Sequence, residues 1–556
     1  MRRLSLVMLG AALVLGAGQT TTIQVLATTD LHGNMLPYDY YTEHEVQRGL
    51  AKLGTIIRAE RARNPNTVLV DCGDTIQGTP LESYYQAHAL EAGARPDPMM
   101  LAMNALGYDA MAVGNHEFNY GLEHLERARK AAKFPWLSAN TSSFTPYTVK
   151  TVGGVRVAII GLTTPAIPNG ETRENYAGLS WIDPVKAAAK AVDELHRLPA
   201  PPDMIVVALH AGLERDPKTG SPYPGSRPSE DFAYRVATDV AGIDALIFGH
   251  SHQEFGPALL GNTLAAQPKN WGASLAALEF TLERDNSGKW KVVNRSGKLL
   301  PATAQIAADP EIVAIAKPYH EATEAWLNQP VTRSVVPLDA RRSRIEDSAI
   351  IDAIQQAQLY YAKADVSFAS SFNPRARIKE GPVTIRQLAS LYVYDNELYA
   401  VEANGRAVRE ALENAARFFR TCPDTSCSGP LLNKEVFGYN YDMAQGVTYE
   451  IDLTEPPGRR IKNLRFHGEP LVDDHPLRLA LNNYRAAGSA GYSMFRDLPI
   501  VWRSYEEIRD LLVDYYSASE HPLPTKPDNN WRIVPAAAAA ELASEIDGDA
   551  VRNPGK

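Results

Sequence analysis

Cysteine is scarce, with only Cys72, Cys422 and Cys427 among 556 residues. Cys72 sits inside an apolar run and reads as a small buried side chain, so the thiols do not describe a cysteine-dependent enzyme. Cys422 and Cys427 flank a turn-rich loop, CPDTSCSG. A short disulfide suits that loop if the chain is exported, a free pair or a metal-binding pair if it is not. Long apolar runs are missing after the first residues, so no later segment reads as a membrane span. An excess of basic charge is missing too: 56 Lys and Arg stand against 65 Asp and Glu, a net charge of -9. That balance argues against a polymeric nucleic acid held in a basic groove, but not against a small anion bound through metals.

The single long apolar run comes at the start. Arg2 and Arg3 precede LSLVMLGAALVLGAG, the layout of a secretory signal over residues 1–19 with cleavage near Ala17 to Thr20, and export to a periplasm or beyond is the expectation. A buried first strand or a retained anchor is the alternative.

What the chain has instead is a recurring pattern. Short apolar runs of the kind that form buried strands end repeatedly in metal-ligating side chains. QVLATTDLHGNM ends at Asp30 and His32, TVLVDCGD at Asp74, DAMAVGNHE at Asn115 and His116, DMIVVALH at His210, and DALIFGHSH at His250 and His252. Ligands leaving the carboxyl ends of neighbouring strands share one cleft in an open sheet. Seven mixed oxygen and nitrogen ligands, Asp30, His32, Asp74, Asn115, His210, His250 and His252, exceed the needs of one structural zinc. They suit two adjacent divalent cations with a position open for water or substrate.

Between these strands lie candidate helices, GLAKLGTIIRAERAR, PDPMMLAMNALGY and GLEHLERARKAA, so the first region is α/β. The stretch AGLERDPKTGSPYPGSRPSE directly after His210 is a surface insertion or a lid over the cleft. At this length two domains are expected. LAALEFTLERDNSGKWKVVNRSGKLLP reads as a strand, a turn and a strand, and ADPEIVAIAKPYHEATEAWLNQ as a connecting helix. We therefore place a catalytic domain over 20–305, a helical linker over 306–335, a second α/β domain over 336–532 and a tail over 533–556. In the second domain SAIIDAIQQAQLYYA and RAVREALENAARFF read as helices, and ADVSFAS, VTYEIDL and PLRLALNNY as strands.

TTDLHGN, DCGDTIQG, VGNHEF and GHSH, in that order, resemble the secreted 5′-nucleotidase family of metallophosphoesterases. SFNPR, GYNYDMAQGVTYEIDL and NNYRAAGSAGY extend the resemblance to a nucleotide substrate, and NNYRAAG brings it nearer the branch with 2′,3′-cyclic-nucleotide 2′-phosphodiesterase and 3′-nucleotidase activity. The resemblance implies a layered α/β/β/α metallophosphoesterase domain followed by a 5′-nucleotidase-like C-terminal α/β domain. It places Asp30, His32, Asp74 and His252 around one cation and Asp74, Asn115, His210 and His250 around the other, with Asp74 bridging. The cations would be Mn²⁺, Co²⁺ or Zn²⁺, neutralising the phosphate and lowering the pKa of a water. Asn115 and His116 would be catalytic, His116 assisting departure of the ribose oxygen or stabilising charge without proton transfer.

Substrate contacts carry over in the same way. Arg344 and Arg375 would face the phosphate and Asn373 the substrate, although Arg377 and Lys379 are equally well solvated loop charges. Tyr441 and Tyr484 would sandwich a nucleobase, with Tyr439 the competitor for the first role and core packing the plain alternative. Two positions depart from the 5′-nucleotidase pattern. Asn119 replaces an Asp that supports the histidine, unless it only caps the following helix, and Ala490 replaces an Asp that contacts ribose. Both departures favour phosphate at the 2′ or 3′ side. A 5′-nucleotidase or UDP-sugar hydrolase is the alternative enzyme, and a non-catalytic nucleotide-binding surface protein the alternative outside enzymes. The implied partners are small nucleotides.

Overall fold

Alternation along the strands sets the first domain. In Thr20–Thr28, Ile23, Val25 and Ala27 enter one buried cluster and Leu26 another, as the two-residue period of a strand requires. Met204–His210 divides likewise, with Met204, Val206 and Ala208 inward and Ile205, Val207 and Leu209 outward. Strands apolar on both faces need a layer on each side. In the computed structural model of the protein, two six-stranded sheets supply the inner layers, facing each other across the cluster of Val25, Val70, Val206 and Ile247. The first outer layer includes the helices Leu50–Arg63, Pro98–Leu106 and Leu122–Ala131; the second includes Pro184–His196 and Ala233–Asp239. The result is the layered α/β/β/α arrangement. The structure describes residues 19–552 apart from 172, 224–225, 228, 395 and 423–425, so the expected signal segment lies outside the described residues save for Gln19.

The registers line up the ends that matter. Thr20–Thr28 runs parallel to Thr67–Asp71, with Thr28 beside Asp71, and Asp71 is beside Met111 of Ala110–Ala112. In the second sheet Ala245–Phe248 and Met204–His210 run parallel, with Phe248 beside Leu209. The ligand-bearing loops therefore leave one edge of the sandwich together.

The helix Pro310–Leu327 opens with Asp309 accepting from the amides of Glu311 and Ile312, and Arg58 pairs with Asp309 at 2.5 Å. Its Ile312 and Ala316 sit in the first domain's core, while Tyr319 and Leu327 join a cluster with Tyr40, Leu81, Tyr85 and Ile385. The helix is thus packed along its length rather than a free tether.

The second domain is a five-stranded sheet in the order Asp442–Gln445, Val366–Ser370, Pro476–Asn482, Glu397–Asn404, Ile500–Glu507, beside a four-stranded sheet. Trp531–Val534 pairs in parallel with Val447–Asp452, so the sheet continues past residue 532 into the stretch expected as tail. The helix Ala536–Arg552 buries Ala538 and Leu542 completely. Its Glu541 and Glu545 accept from the backbone amides of Gly429, Leu431 and Leu432. Just before those amides, Cys422 and Cys427 are disulfide-bonded, and Cys72 is free and buried. Among the described residues no helix is long and apolar enough to cross a membrane.

Candidate metal centre and substrate cleft

Five of the seven expected ligands, Asp30, His32, Asp74, His250 and His252, have positive φ between 46° and 70°. Non-glycine residues adopt that left-handed backbone at a cost, and it concentrates at functional sites. Here the loops are cross-tied to hold it. The amides of Asp30 and His32 donate to the carbonyls of Gly73 and Asp74, and the amide of Trp271 donates to the Asp30 carbonyl at 2.7 Å. The Asp30 carboxylate accepts from the His250 amide at 3.0 Å. Glycine keeps the approach close, since a Cβ at Gly114 would lie 2.2 Å from Asp74 Oδ1 and one at Gly249 would lie 1.9 Å from Thr29 Oγ1.

The side chains gather in two groups, Asp30 with His32 and His252, and Asp74 with His210 and His250. Asp74 Oδ2 lies 3.0 Å from His210 Nε2, 3.8 Å from His32 Nε2 and 4.0 Å from His116 Nε2, so it stands between them. Asn115 Oδ1 is 3.0 Å from His210 Nε2. The donor chemistry fits cations. His32 Nδ1 faces the Gln77 carbonyl at 3.0 Å and His210 Nδ1 the Cys72 carbonyl at 2.8 Å. A carbonyl only accepts, so each ring proton sits at Nδ1 and the Nε2 lone pair points inward. Inside, His32 Nε2 confronts His252 Nε2 at 2.9 Å, and His210 Nε2 confronts two oxygen acceptors. At His210 a lone pair faces two oxygen acceptors, and that needs positive charge between them.

The electrostatics say the same. Burial opposes charge on Asp74, yet His210, His116 and His32 carry its carboxyl well below the usual range. Burial lowers His210, and Asp74 more than reverses that, pushing it up to about 10. A proton on His210 thus fills the place a divalent cation would take with the imidazole neutral. Both groups can hold divalent cations.

His116 lies beside this centre. Its amide donates to Asp74 Oδ1 at 2.8 Å, and its Nδ1 is 2.6 Å from Asn119 Oδ1. Burial lowers its pKa, but Asp74, Glu397 and the Asn119 bond together raise it above the ordinary value.

Three acidic residues escaped the sequence reading. Glu117 is fully buried and accepts from the amides of Asp74, Thr75 and Gly114, clamping two ligand loops with one carboxylate. Its signal was adjacency to Asn115 and His116. Glu230 accepts from Arg227 at 2.8 Å and lies 3.2 Å from His250 Nε2; it belongs to the stretch after His210, which therefore borders the cleft. Glu171 accepts from Asn119 Nδ2 at 2.9 Å, and nothing in its local sequence marks it.

A cleft of 370 Å³ opens over the metal groups. Its second-domain wall includes Glu397, Tyr399, Asn483, Tyr484, Arg503 and Glu507. Of the five expected substrate contacts, only Tyr484 lines it. Tyr441 is corrected: it is 1% exposed, stacked on Phe418 at 5.1 Å and edged by Phe419 and Trp531, so it has no ring face to offer a base. Its competitor Tyr439 is 40% exposed and Tyr484 59%. The segments of these two rings are joined by Arg485, which donates to the Tyr439 carbonyl at 2.7 Å and pairs with Asp442 at 2.6 Å. Arg344 donates to the Ser371 carbonyl and packs against Gly438. Asn373 donates to the Ser390 carbonyl and accepts from the Arg375 amide, which leaves its side chain holding the loop. Arg375 is exposed, and Arg377 pairs with Asp339 at 3.1 Å. Ala490 adopts φ 56° within a 3-10 turn.

Residues 23–254 match the calcineurin-like phosphoesterase family and residues 329–497 the 5′-nucleotidase C-terminal domain. The 2′,3′-cyclic-nucleotide 2′-phosphodiesterase/3′-nucleotidase of Salmonella typhimurium is 32% identical, the alignment covering 93% of this chain and 89% of that protein. The trifunctional nucleotide phosphoesterase protein YfkN of Bacillus subtilis is 30% identical over 93% of this chain, which spans 39% of its length. The solved NAD nucleotidase of Haemophilus influenzae shares the fold, with a TM-score of 0.62 at 18% identity, covering 93% of this chain and 100% of that one. The chain belongs to the calcineurin-like metallophosphoesterases that carry a 5′-nucleotidase C-terminal domain.

Proposed function

We propose that the protein is an exported phosphoesterase that hydrolyses 2′,3′-cyclic nucleotides to 3′-nucleotides, and 3′-nucleotides to nucleosides and phosphate. The observation that carries the reading is the meeting at Asp74 Oδ2 of His210, His32 and His116 at 3.0, 3.8 and 4.0 Å: a two-cation centre with one further imidazole alongside. The relative from Salmonella typhimurium, 32% identical and aligned across both domains, supports this branch.

Asp30, His32, Asp74 and His252 would hold one divalent ion and Asp74, Asn115, His210 and His250 the other, with Mn²⁺, Co²⁺ or Zn²⁺ as candidates. Bound there, the ions neutralise phosphate charge and activate water. The protein's own contribution is placement and a proton. His116 acts as the imidazolium: it keeps its Nδ1 proton on Asn119, gives its Nε2 proton to the departing ribose oxygen and is left as the neutral Nδ1–H ring. On the cyclic diester a water oxygen would bond to phosphorus as the phosphorus–O2′ bond breaks and O2′ takes the proton; on the 3′-nucleotide the same would happen at O3′. Tyr439 and Tyr484, the exposed rings of the joined segments, hold the base by stacking, which tolerates any base.

The test is a comparison of kcat/KM for 2′,3′-cyclic AMP, 3′-AMP, 5′-AMP and UDP-glucose with each metal. The first two are expected to be preferred, with 3′-AMP appearing before adenosine. Preference for 5′-AMP with the cyclic substrate untouched would make the protein a 5′-nucleotidase, and no turnover with any metal would make it a binding protein.

A further inference from the structure

We propose that Glu171 is a positioning residue for His116. Its carboxylate fixes which way the Asn119 amide faces, and the amide in turn holds the Nδ1 proton, so that the imidazolium gives up its proton from Nε2. The inference rests on the reading of His116 as proton donor to the leaving oxygen.

An aspartate at position 119 would need no such help, because both its oxygens accept. An asparagine has one accepting end and one donating end, and only the accepting end can hold an Nδ1 proton. Turned the wrong way, Asn119 would donate to Nδ1 and favour the neutral Nε2–H ring, far too weak an acid to give that proton to the leaving oxygen. Glu171 decides the matter. Its Oε2 accepts from Asn119 Nδ2 at 2.9 Å and its Oε1 from Asn175 Nδ2 at 3.0 Å. A carboxylate donates nothing, so the nitrogen of Asn119 must face it and the oxygen must face His116, at 2.6 Å. Asn175 Nδ2 also donates to the Asn119 carbonyl at 3.0 Å, tying the backbone of the same residue to the same group. Glu171 is buried, 8% exposed, at the end of the turn Ile167–Gly170, where its amide donates to the Ile167 carbonyl. The carboxylate that position 119 does not itself carry is thus supplied one residue further out, 52 positions along the chain.

The test uses the metal-loaded full-length protein. Glu171→Leu is expected to lower kcat for 3′-AMP by about tenfold or more at unchanged KM, the cost of a misplaced catalytic group. Asn119→Asp in the Glu171→Leu background is expected to bring kcat back to within about threefold of the parent, because an acceptor-only side chain needs no orienting. Selective ¹⁵N-histidine spectra, with His116 assigned by His116→Gln, are expected to give the Nδ1–H tautomer in the parent once the ring has been titrated to its neutral form. An unchanged kcat in Glu171→Leu, a loss that Asn119→Asp does not restore in a folded double variant, or an Nε2–H tautomer in the parent would each overturn the assignment. If Glu171→Leu does not fold, Glu171→Gln decides: glutamine can offer either end to Asn119, so a mixture of tautomers at His116 supports the role and a single unchanged one refutes it. A parent that prefers 5′-AMP would overturn the proposed function and leave this assignment to be read on 5′-AMP.

Discussion

Two tyrosines two positions apart in GYNYD carry one aromatic signal, and only one of them reaches solvent. The sequence marks the segment but not the ring, because the 3-10 turn Gly438–Asn440 interrupts the alternation that would put both on one side. Tyr441 turns inward, and its hydroxyl is buried without a hydrogen-bond partner among the described residues. Burial pushes its pKa well up. A buried hydroxyl with no partner keeps its desolvation cost, so Tyr441→Phe is expected to raise unfolding stability by about 1 kcal/mol. Nucleotide kinetics should not change. Urea denaturation and kcat/KM on 3′-AMP check both halves. A fall in nucleotide hydrolysis, with hydrolysis of a small aryl phosphate intact, would return Tyr441 to the base clamp.

At the scale of elements, the strands and their polar ends were legible because each signal is local: an apolar run, then ligating residues where the strand stops. The seven ligand positions in the strand-end loops follow from that pattern, and the helix Ala349–Ala362 follows from its apolar stripe. What was not legible is any acid whose meaning comes from a distant partner. Glu171 and Glu230 are of this kind, and so is Asp352. In the first turn of Ala349–Ala362 an aspartate reads as a favourable charge at a helix start. In the fold Asp352 is 2% exposed and grouped with Asp347 and Asp528. Burial, then Asp347 and Asp528, raise its pKa to about 8, and burial and Asp528 raise Asp347 to about 6. The sign follows: with a folded pKa above the unfolded value, the folded state binds more protons, so stability is full below about pH 4 and declines as pH rises to about 8. Asp352→Asn removes the share of that decline that Asp352 carries. It is expected to raise Tm by a few degrees at pH 8 and by clearly less at pH 5, measured by thermal unfolding, and a gain independent of pH would contradict the account.

For the whole molecule, the length and the resemblance indicated two domains but not how the second meets the first. That depends on pairs far apart in the chain, and one arginine carries much of it. Arg386, buried in the second domain, donates to the Tyr40 carbonyl of the first and to Glu324 of the connecting helix at 2.8 Å. Ile385 beside it completes the cluster with Tyr40, Leu81 and Leu327, and Arg509 lies over the Tyr41 ring at 4.5 Å. This junction decides which second-domain residues overlook the metal groups, and hence whether a base and its phosphate are engaged together. Removing the guanidinium while keeping the apolar stem should loosen the junction and leave the metal groups untouched, since the ligands all come from the first domain. Arg386→Met is therefore expected to lower kcat/KM for 3′-AMP about tenfold, because remote binding contributes to the chemical step. A small aryl phosphate, which needs the metal centre and not the second domain, should be hydrolysed as before. Metal content measured on the variant separates the outcomes: equal losses on both substrates with metals retained would mean that the junction supports the metal centre itself, and that the second domain does more than hold the nucleoside.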